Sequence, residues 1–580
     1  MKRLLVLVCV AVVFAMGAGS LTAAPPIQWP QWGQDPQHAS AVQNLGQPLN
    51  RIIEDIIYDP FVEEEMAASG GHLLVHYQTP LLDGNDVYME FKGGNFTTLA
   101  NWETQEWIEK KLTWQGDDLV EVWSFTSSWK PVPYASRQSF NGPFWEPVFH
   151  PVLVDDFIYI PCDAGTVMKV RKSDGAVVAD INPFGNTEDR DIFVAGPLSA
   201  DKNGNVYYNA IKLTHGRPWD NDVVDSWLVK IAPNNQTFKV SFSALTPGAP
   251  GAADPCLVQF SDDLLPWPPS PDAVPTTTPC GSQRPGINVA PAIAPDGTIY
   301  TVSRGHFVTR YNYLIAVNPN LTLKWNASLR GRLNDGCGVL LPIGGPGGCR
   351  VGAHLGVDPG TNEPGPGRVL DDGSSSPTVA PDGGVILGTY TRYNWAQGHL
   401  MKFSSTGQFQ GAYEFGWDIT PGIYKHGGTY SIVIKDNHYG EEVGSYCDVE
   451  EFCPGERSEA HPSYPEEYFI TQLSSTMAVE WKWKNTNTLS CSRDANGVVT
   501  CVDDHPHSFE WCVNGMAIDR DGVVYSNSED GNMYAIAQGG VLRDKIFQQL
   551  TLGAAYTPAS IGGEGRIYSQ NAGHFFVLGR

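Results

Sequence analysis

Charge is scarce in this sequence, and what there is leans one way. Charged residues make up 17% of the 580, against about a quarter in an ordinary soluble chain. Lys and Arg number 38 and Asp and Glu 63, for a net charge of -25. A body this acidic repels nucleic acid and anionic membrane, so neither is expected as a broad-surface partner. After the first residues no apolar run is long enough to span a bilayer. There is no Gly-x-Ser-x-Gly elbow, no Walker loop and no His-Glu-x-x-His pair, which removes three common catalytic frameworks at once.

The start of the chain and its cysteines point outside the cytoplasm. Met1-Lys2-Arg3 is basic, Leu4 to Met16 is apolar but too short to cross a bilayer, and Gly17 to Ala24 is rich in small residues. Residues 1–24 therefore read as a signal peptide, and the mature chain as secreted or periplasmic. No cysteine lies near the cut, which argues against a lipid-anchored N-terminus. Of 11 cysteines, Cys9 leaves with the signal and eight form close pairs: Cys256 with Cys280, Cys337 with Cys349, Cys447 with Cys453, and Cys491 with Cys501. Each pair flanks a turn-rich insert and is expected to staple it as a disulfide. Cys162 and Cys512 remain, either paired with each other or acting as two buried thiols.

What the chain has in quantity is turns and strands: 61 Gly, 43 Pro and 11% aromatic residues. Asn288 to Leu329 shows the pattern as a four-stranded meander. Val289 to Ala294 leads to the turn Pro295-Asp296-Gly297, where proline presets φ and glycine accepts a positive one. Thr298 to Ser303, Tyr313 to Val317 and Thr322 to Ser328 follow as strands. Such a meander cannot bury both faces alone and needs like units on either side. Similar units recur at Leu73 to Phe125, Val148 to Phe184, Val194 to Leu245, Ser374 onward with Ala380-Pro381-Asp382-Gly383, Asp418 to Trp481, and Gly515 to Ile536. The last, Tyr556 to Leu578, has only three strands. A lone strand at Asn50 to Asp59 supplies the fourth if the two ends of the chain pair, which would remove open sheet edges. The expected fold is all-β, an eight-bladed propeller of four-stranded antiparallel blades, with seven blades as the alternative. Residues 25–49 form an N-terminal segment. Residues 50–580 read as one propeller domain with inserts near 248–286, 330–373, 440–466 and 486–512.

Two features carry a family likeness: Trp29-Pro30-Gln31-Trp32-Gly33-Gln34-Asp35-Pro36-Gln37-His38, and the repeated Pro-x-x-x-Asp-Gly-x-Ile/Val-Tyr with Leu/Tyr-x-Ala-Ile/Val. The chain resembles the pyrroloquinoline-quinone-like repeat propellers, a superfamily that holds quinoprotein alcohol dehydrogenases and an outer-membrane assembly propeller. The likeness covers nearly all of the mature chain. The quinoproteins carry a vicinal Cys-Cys disulfide over the cofactor, and this sequence has neither adjacent cysteines nor a Cys-x-x-Cys-His haem motif. No cofactor is therefore expected, with pyrroloquinoline quinone (PQQ) or a metal ion as the alternative the resemblance implies.

Sites on propellers sit over the channel mouth, on the loops between strands. The loops after the second strands concentrate Arg, His and Tyr in the fourth to sixth units. Arg304, Arg310, Arg392, Lys435 and His574 are candidates for binding an anionic ligand, and His306, Tyr311, Tyr393 and His438 for acid or base work. The bland alternative is that these residues bridge neighbouring blades. His438, His505 and His507 are a sparse candidate metal set, since Pro506 breaks the strand that would align the last two. The preferred reading is a monomeric binding propeller that takes a small molecule, carbohydrate or protein at the channel mouth. The rival is an enzyme over the channel, either a lyase on acidic polysaccharide or a quinone- or metal-dependent oxidoreductase.

Overall fold

The computed structural model describes residues 28–68, 78–96, 104–132, 148–214, 219–264, 267–333, 337, 350, 352–365, 367–371, 375–391, 397–414, 418–438, 467–494, 496–552 and 557–580. The expected signal peptide and the 440–466 insert fall outside them. Eight antiparallel meanders form a ring. Blade 4 shows why the sequence folds this way. Its turn closes with Gly297 N–H donating to the Ala294 carbonyl at 2.8 Å while Asp296 accepts from Thr298 N–H at 2.9 Å. Gly297 sits at φ +85°, a region that costs other residues energy. Blades 3, 5 and 7 repeat the closure at Asp201, Asp382 and Asp519, each accepting backbone N–H groups within its own turn.

The ring closes as expected. Arg51–Ile57 pairs antiparallel with His574–Gly579, so a strand from the start of the chain completes blade 8. Burial is continuous around the circle. One apolar cluster joins blades 1, 2 and 3, further clusters join 3 to 4 and 4 to 5, another joins 5, 6 and 7, and the last runs from 7 through 8 back to 1.

Blade 1 departs from the sequence reading. Of the unit expected from Leu73 to Phe125, residues 73–77 lie outside the described residues, and Leu81–Asp83 is the inner strand. Between Asp86–Gly94 and Asp118–Ser127 stands a full third strand, Gln105–Gln115, that the apolar pattern does not announce. Its Glu and Lys content hid it, because Glu109 and Lys111 are buried while the apolar residues alternate with them.

The largest addition is the N-terminal segment, which is a belt rather than a tail. Gln28–Trp29 pairs with Leu82 and Asp83 on the inner edge of blade 1. The Pro30 carbonyl then accepts from Leu153 of blade 2 at 2.8 Å, and Gln31 Oε1 accepts from Ala200 of blade 3 at 2.6 Å. The Pro36 carbonyl serves Ile293 of blade 4, that of Gln37 serves Val379 of blade 5, and that of Ala39 serves Ile423 of blade 6. Ser40 and Val42 bracket Ile518 of blade 7, and Asn44 and Gln47 reach Gly562 and Gly565 of blade 8. One short segment therefore bonds to all eight blades in order before it supplies the closing strand.

Candidate functional site

Within each blade, the turn between the first and second strands and the loop between the second and third lie at opposite ends. The ring thus has a belt face and a loop face. The sequence-derived candidates belong mostly to the loop face, and there they are engaged with one another.

Arg304 and His306 meet in one buried cluster on blade 4. Asp371 Oδ2 accepts from Arg304 Nη1 at 2.9 Å, and the same carboxylate is held by Arg284 at 2.8 and 2.5 Å. Arg284 Nε also donates to His306 Nδ1 at 3.0 Å, and the His306 ring stacks on Trp219. Burial alone would raise the Asp371 carboxyl, but the two guanidiniums overcome it and hold the group at about 2. Burial lowers His306 to about 3, and the same guanidiniums add to the shift. This is a satisfied ion cluster that ties the insert before blade 4 to the one after it.

The other candidates sit elsewhere. Arg310 pairs with Asp358 at 3.0 Å, and the Tyr311 hydroxyl accepts from Leu257 N–H at 3.1 Å, so both tie inserts to blade 4. On blade 6, Lys435 lies 3.6 Å from Asp418 and His438 lies 2.7 Å from Asp436. Burial would raise Asp436, but His438 and Lys482 hold it below its ordinary value. His574 contacts Asp55 at 2.6 Å on the outer strands of blade 8. Just past the hairpin 489–503, His505 is held by Asp504 and by Ser490 of the hairpin, and His507 is exposed. Arg392 and Tyr393 lie outside the described residues. Among those described, the candidates fall into separate hydrogen-bonded groups on blades 4, 6 and 8 and on the hairpin.

Two of the four cysteine pairings are present, Cys256–Cys280 and Cys491–Cys501. Cys337 is disulfide-bonded, while Cys349, Cys447 and Cys453 lie outside the described residues. Cys162 and Cys512 do not form a disulfide. Burial raises both thiols. Cys512 lies beside Glu510 and Glu529, with candidate ligand atoms of all three within 4.8 Å of one another.

Blade 1 holds a cluster of the opposite balance. Lys92 pairs with Asp59 at 2.7 Å and Glu65 at 3.0 Å. Glu90 and Glu109 face each other directly across neighbouring strands. Burial pushes Glu65 up to about 7 and Glu90 up to about 8, and raises Glu109 well above the carboxylate range.

The belt face is open by contrast. A cavity of about 630 Å³ is lined by Gln34, Asp35 and Gln43 of the belt and by Tyr424, Lys425, Asp519 and Arg520 of blades 6 and 7. Lys425, Arg520 and Gln43 are exposed. Its floor is rigid. Asp35 Oδ1 accepts from the N–H groups of Gln37 and Ala39 at 3.0 and 2.9 Å, fixing the bend. Trp32 spans the channel, donating to Thr420 of blade 6 at 2.9 Å with its ring edge-on to His150 of blade 2. His38 Nδ1 donates to the Pro377 carbonyl at 2.8 Å, and burial lowers both His38 and His150 to about 4. Sequence reasoning missed this cavity because its charged residues occupy ordinary turns.

No family model and no curated protein matches the sequence. Many solved structures are similar to it, among them three at 10% identity each. A europium-containing methanol dehydrogenase aligns over 93% of this chain and 89% of its own, with a TM-score of 0.46. A quinohemoprotein alcohol dehydrogenase from Comamonas testosteroni aligns over 96% and 81%, with a TM-score of 0.48. BamB from Moraxella catarrhalis aligns over 91% and 99%, with a TM-score of 0.38. The fold itself rests on the strand pairing: the protein is an eight-bladed β-propeller. PQQ is a tricarboxylate, and the loop-face cations Arg284, Arg304, Arg310 and Lys435 are already engaged by carboxylates of this chain. That set does not fit the group. Among the described residues, no helix is long and apolar enough to cross a membrane.

Proposed function

We propose that this is an exported binding propeller that takes a polar ligand or a protein partner on its belt face. The carrying observation is the cavity of about 630 Å³ in which the belt and two blade turns present exposed cationic and amide side chains above a fixed floor. Cavities of this size on a rigid scaffold are the usual form of a small-ligand or peptide-side-chain site. The disulfides fit an oxidising compartment. The rival lyase reading asks more of the structure. A uronate carboxylate would have to displace Asp371 from Arg304 or Asp358 from Arg310, and each displacement would strand a buried charge.

The test is a ligand screen by NMR, using neutral and acidic oligosaccharides and short peptides, against wild type and a Lys425→Ala/Arg520→Ala variant. Binding lost in the variant supports the reading. Ligands that bind both proteins equally, or acidic polysaccharide cleaved to unsaturated ends, would reject it.

A further inference from the structure

Blade 1 contains a feature that neither the fold nor the belt-face reading requires. Glu90 and Glu109 are 1% and 0% exposed and lie directly opposite each other, an arrangement in which like charges repel. The cations that flank them are engaged elsewhere. Lys92 is held by Asp59 and Glu65, and Lys111 by Asp86 at 2.7 Å. Gln78 reaches both glutamates: its backbone N–H donates to Glu90 Oε2 at 3.3 Å and its amide Nε2 to Glu109 Oε1 at 3.2 Å. Gln78 is itself fully buried, and its Oε1, together with Glu109 Oε2, has no hydrogen-bond donor. Buried acceptors without donors are costly and rare.

We propose that Glu90, Glu109 and Gln78 form a binding site for a hard divalent cation of the calcium or magnesium class. Two carboxylates and an amide oxygen are the ligands such ions select, while softer transition metals favour imidazole and thiolate. The ion neutralises the facing carboxylates and takes up the oxygens that hydrogen bonding leaves over. Its place in the fold gives it a structural role. Gln570 of blade 8 donates to the Gln78 carbonyl, so the ion locks the second and third strands of blade 1 beside the seam where the ring closes.

The test uses the full mature chain, stripped with chelator and titrated calorimetrically with Ca²⁺ and with Mg²⁺ at physiological salt, where weak surface binding is screened. One saturable site is expected, weakened at least tenfold in Glu90→Gln and in Glu109→Gln. Hydrogen exchange on wild type supplies a readout that needs no variant: the strands Asp86–Gly94 and Gln105–Gln115 should exchange more slowly with the ion than with chelator. Absence of a saturable site for either ion, or a site unchanged by Glu109→Gln with no effect on exchange in these strands, would overturn the proposal.

Discussion

The two faces of the ring hold similar residue types and use them in opposite ways. On the loop face of blade 4, two guanidiniums surround one carboxylate and every charge has an opposite neighbour. On the belt face, Lys425 and Arg520 stand exposed over a cavity. Residue type therefore does not mark a site on this protein; what marks it is whether a charge is buried against its partner or, like Arg520 beside Asp521, left open to solvent. Blade 1 extends the same lesson within the interior. Three carboxyls, Asp59, Glu65 and Glu90, share Lys92, and Glu109 faces Glu90 without it; burial pushes Glu65, Glu90 and Glu109 up where Asp371 is pulled down.

The largest expected effect comes from breaking the answered set. Asp371→Ala leaves Arg284 and Arg304 buried without their acceptor and should cost about 3–5 kcal/mol, the usual range for breaking a buried ion pair, read by denaturant unfolding. A loss under about 1 kcal/mol, the worth of an exposed pair, would show the cluster to be solvated.

Acid should separate the faces next. The buried imidazoles of His38 and His150 take a proton only near pH 4, whereas the unfolded chain takes it near 6.5. Their contribution is complete above pH 6.5 and is lost as pH falls towards 4, on the order of 3 kcal/mol for each imidazole. Asp371 contributes fully above 3.8, and its share is lost only as pH falls towards 2. Between pH 7 and 4 His38 and His150 should therefore push thermal melting down, against Glu65 and Glu90, which take up protons in the folded state over the same range and push it up. His38→Gln and His150→Gln should remove the downward push; an unchanged profile would place the titration elsewhere.

Smaller effects test the facing carboxyls of blade 1 and the exposed cations of the belt face. In chelator, Glu109→Gln removes one of two facing carboxyls and should change stability by less than about 1 kcal/mol, in contrast to Asp371→Ala. Smallest of all, the Lys425→Ala/Arg520→Ala variant should unfold within about 0.5 kcal/mol of wild type, as exposed substitutions do, while losing belt-face ligands.

Much of the ring was legible in the sequence. The Pro-Asp-Gly turns repeat because an Asp side chain and a positive-φ glycine close the same bend each time, and the closing strand expected at Asn50 to Asp59 forms at Arg51–Ile57. The third strand of blade 1 was hidden because its buried face carries Glu109 and Lys111, which breaks the apolar alternation. The belt was hidden for a different reason. It binds mainly through single backbone carbonyls at successive blades, and such contacts leave no periodicity in side chains. The partners of Arg304 were equally invisible, since Asp371 lies 67 residues away in a Gly- and Pro-rich insert.

Hydrogen exchange across residues 29–42 probes the belt most directly. If the segment bonds to the inner strands of successive blades, the amides of Leu153, Ile293, Val379, Ile423 and Ile518, which donate to its carbonyls, and its own amides, held at Gly33, Asp35 and Ile518, should exchange far more slowly than those of an unstructured chain. Exchange within seconds, at the rate of an unstructured N-terminus, would mean that the channel is not closed by this segment and that the belt-face cavity has no floor.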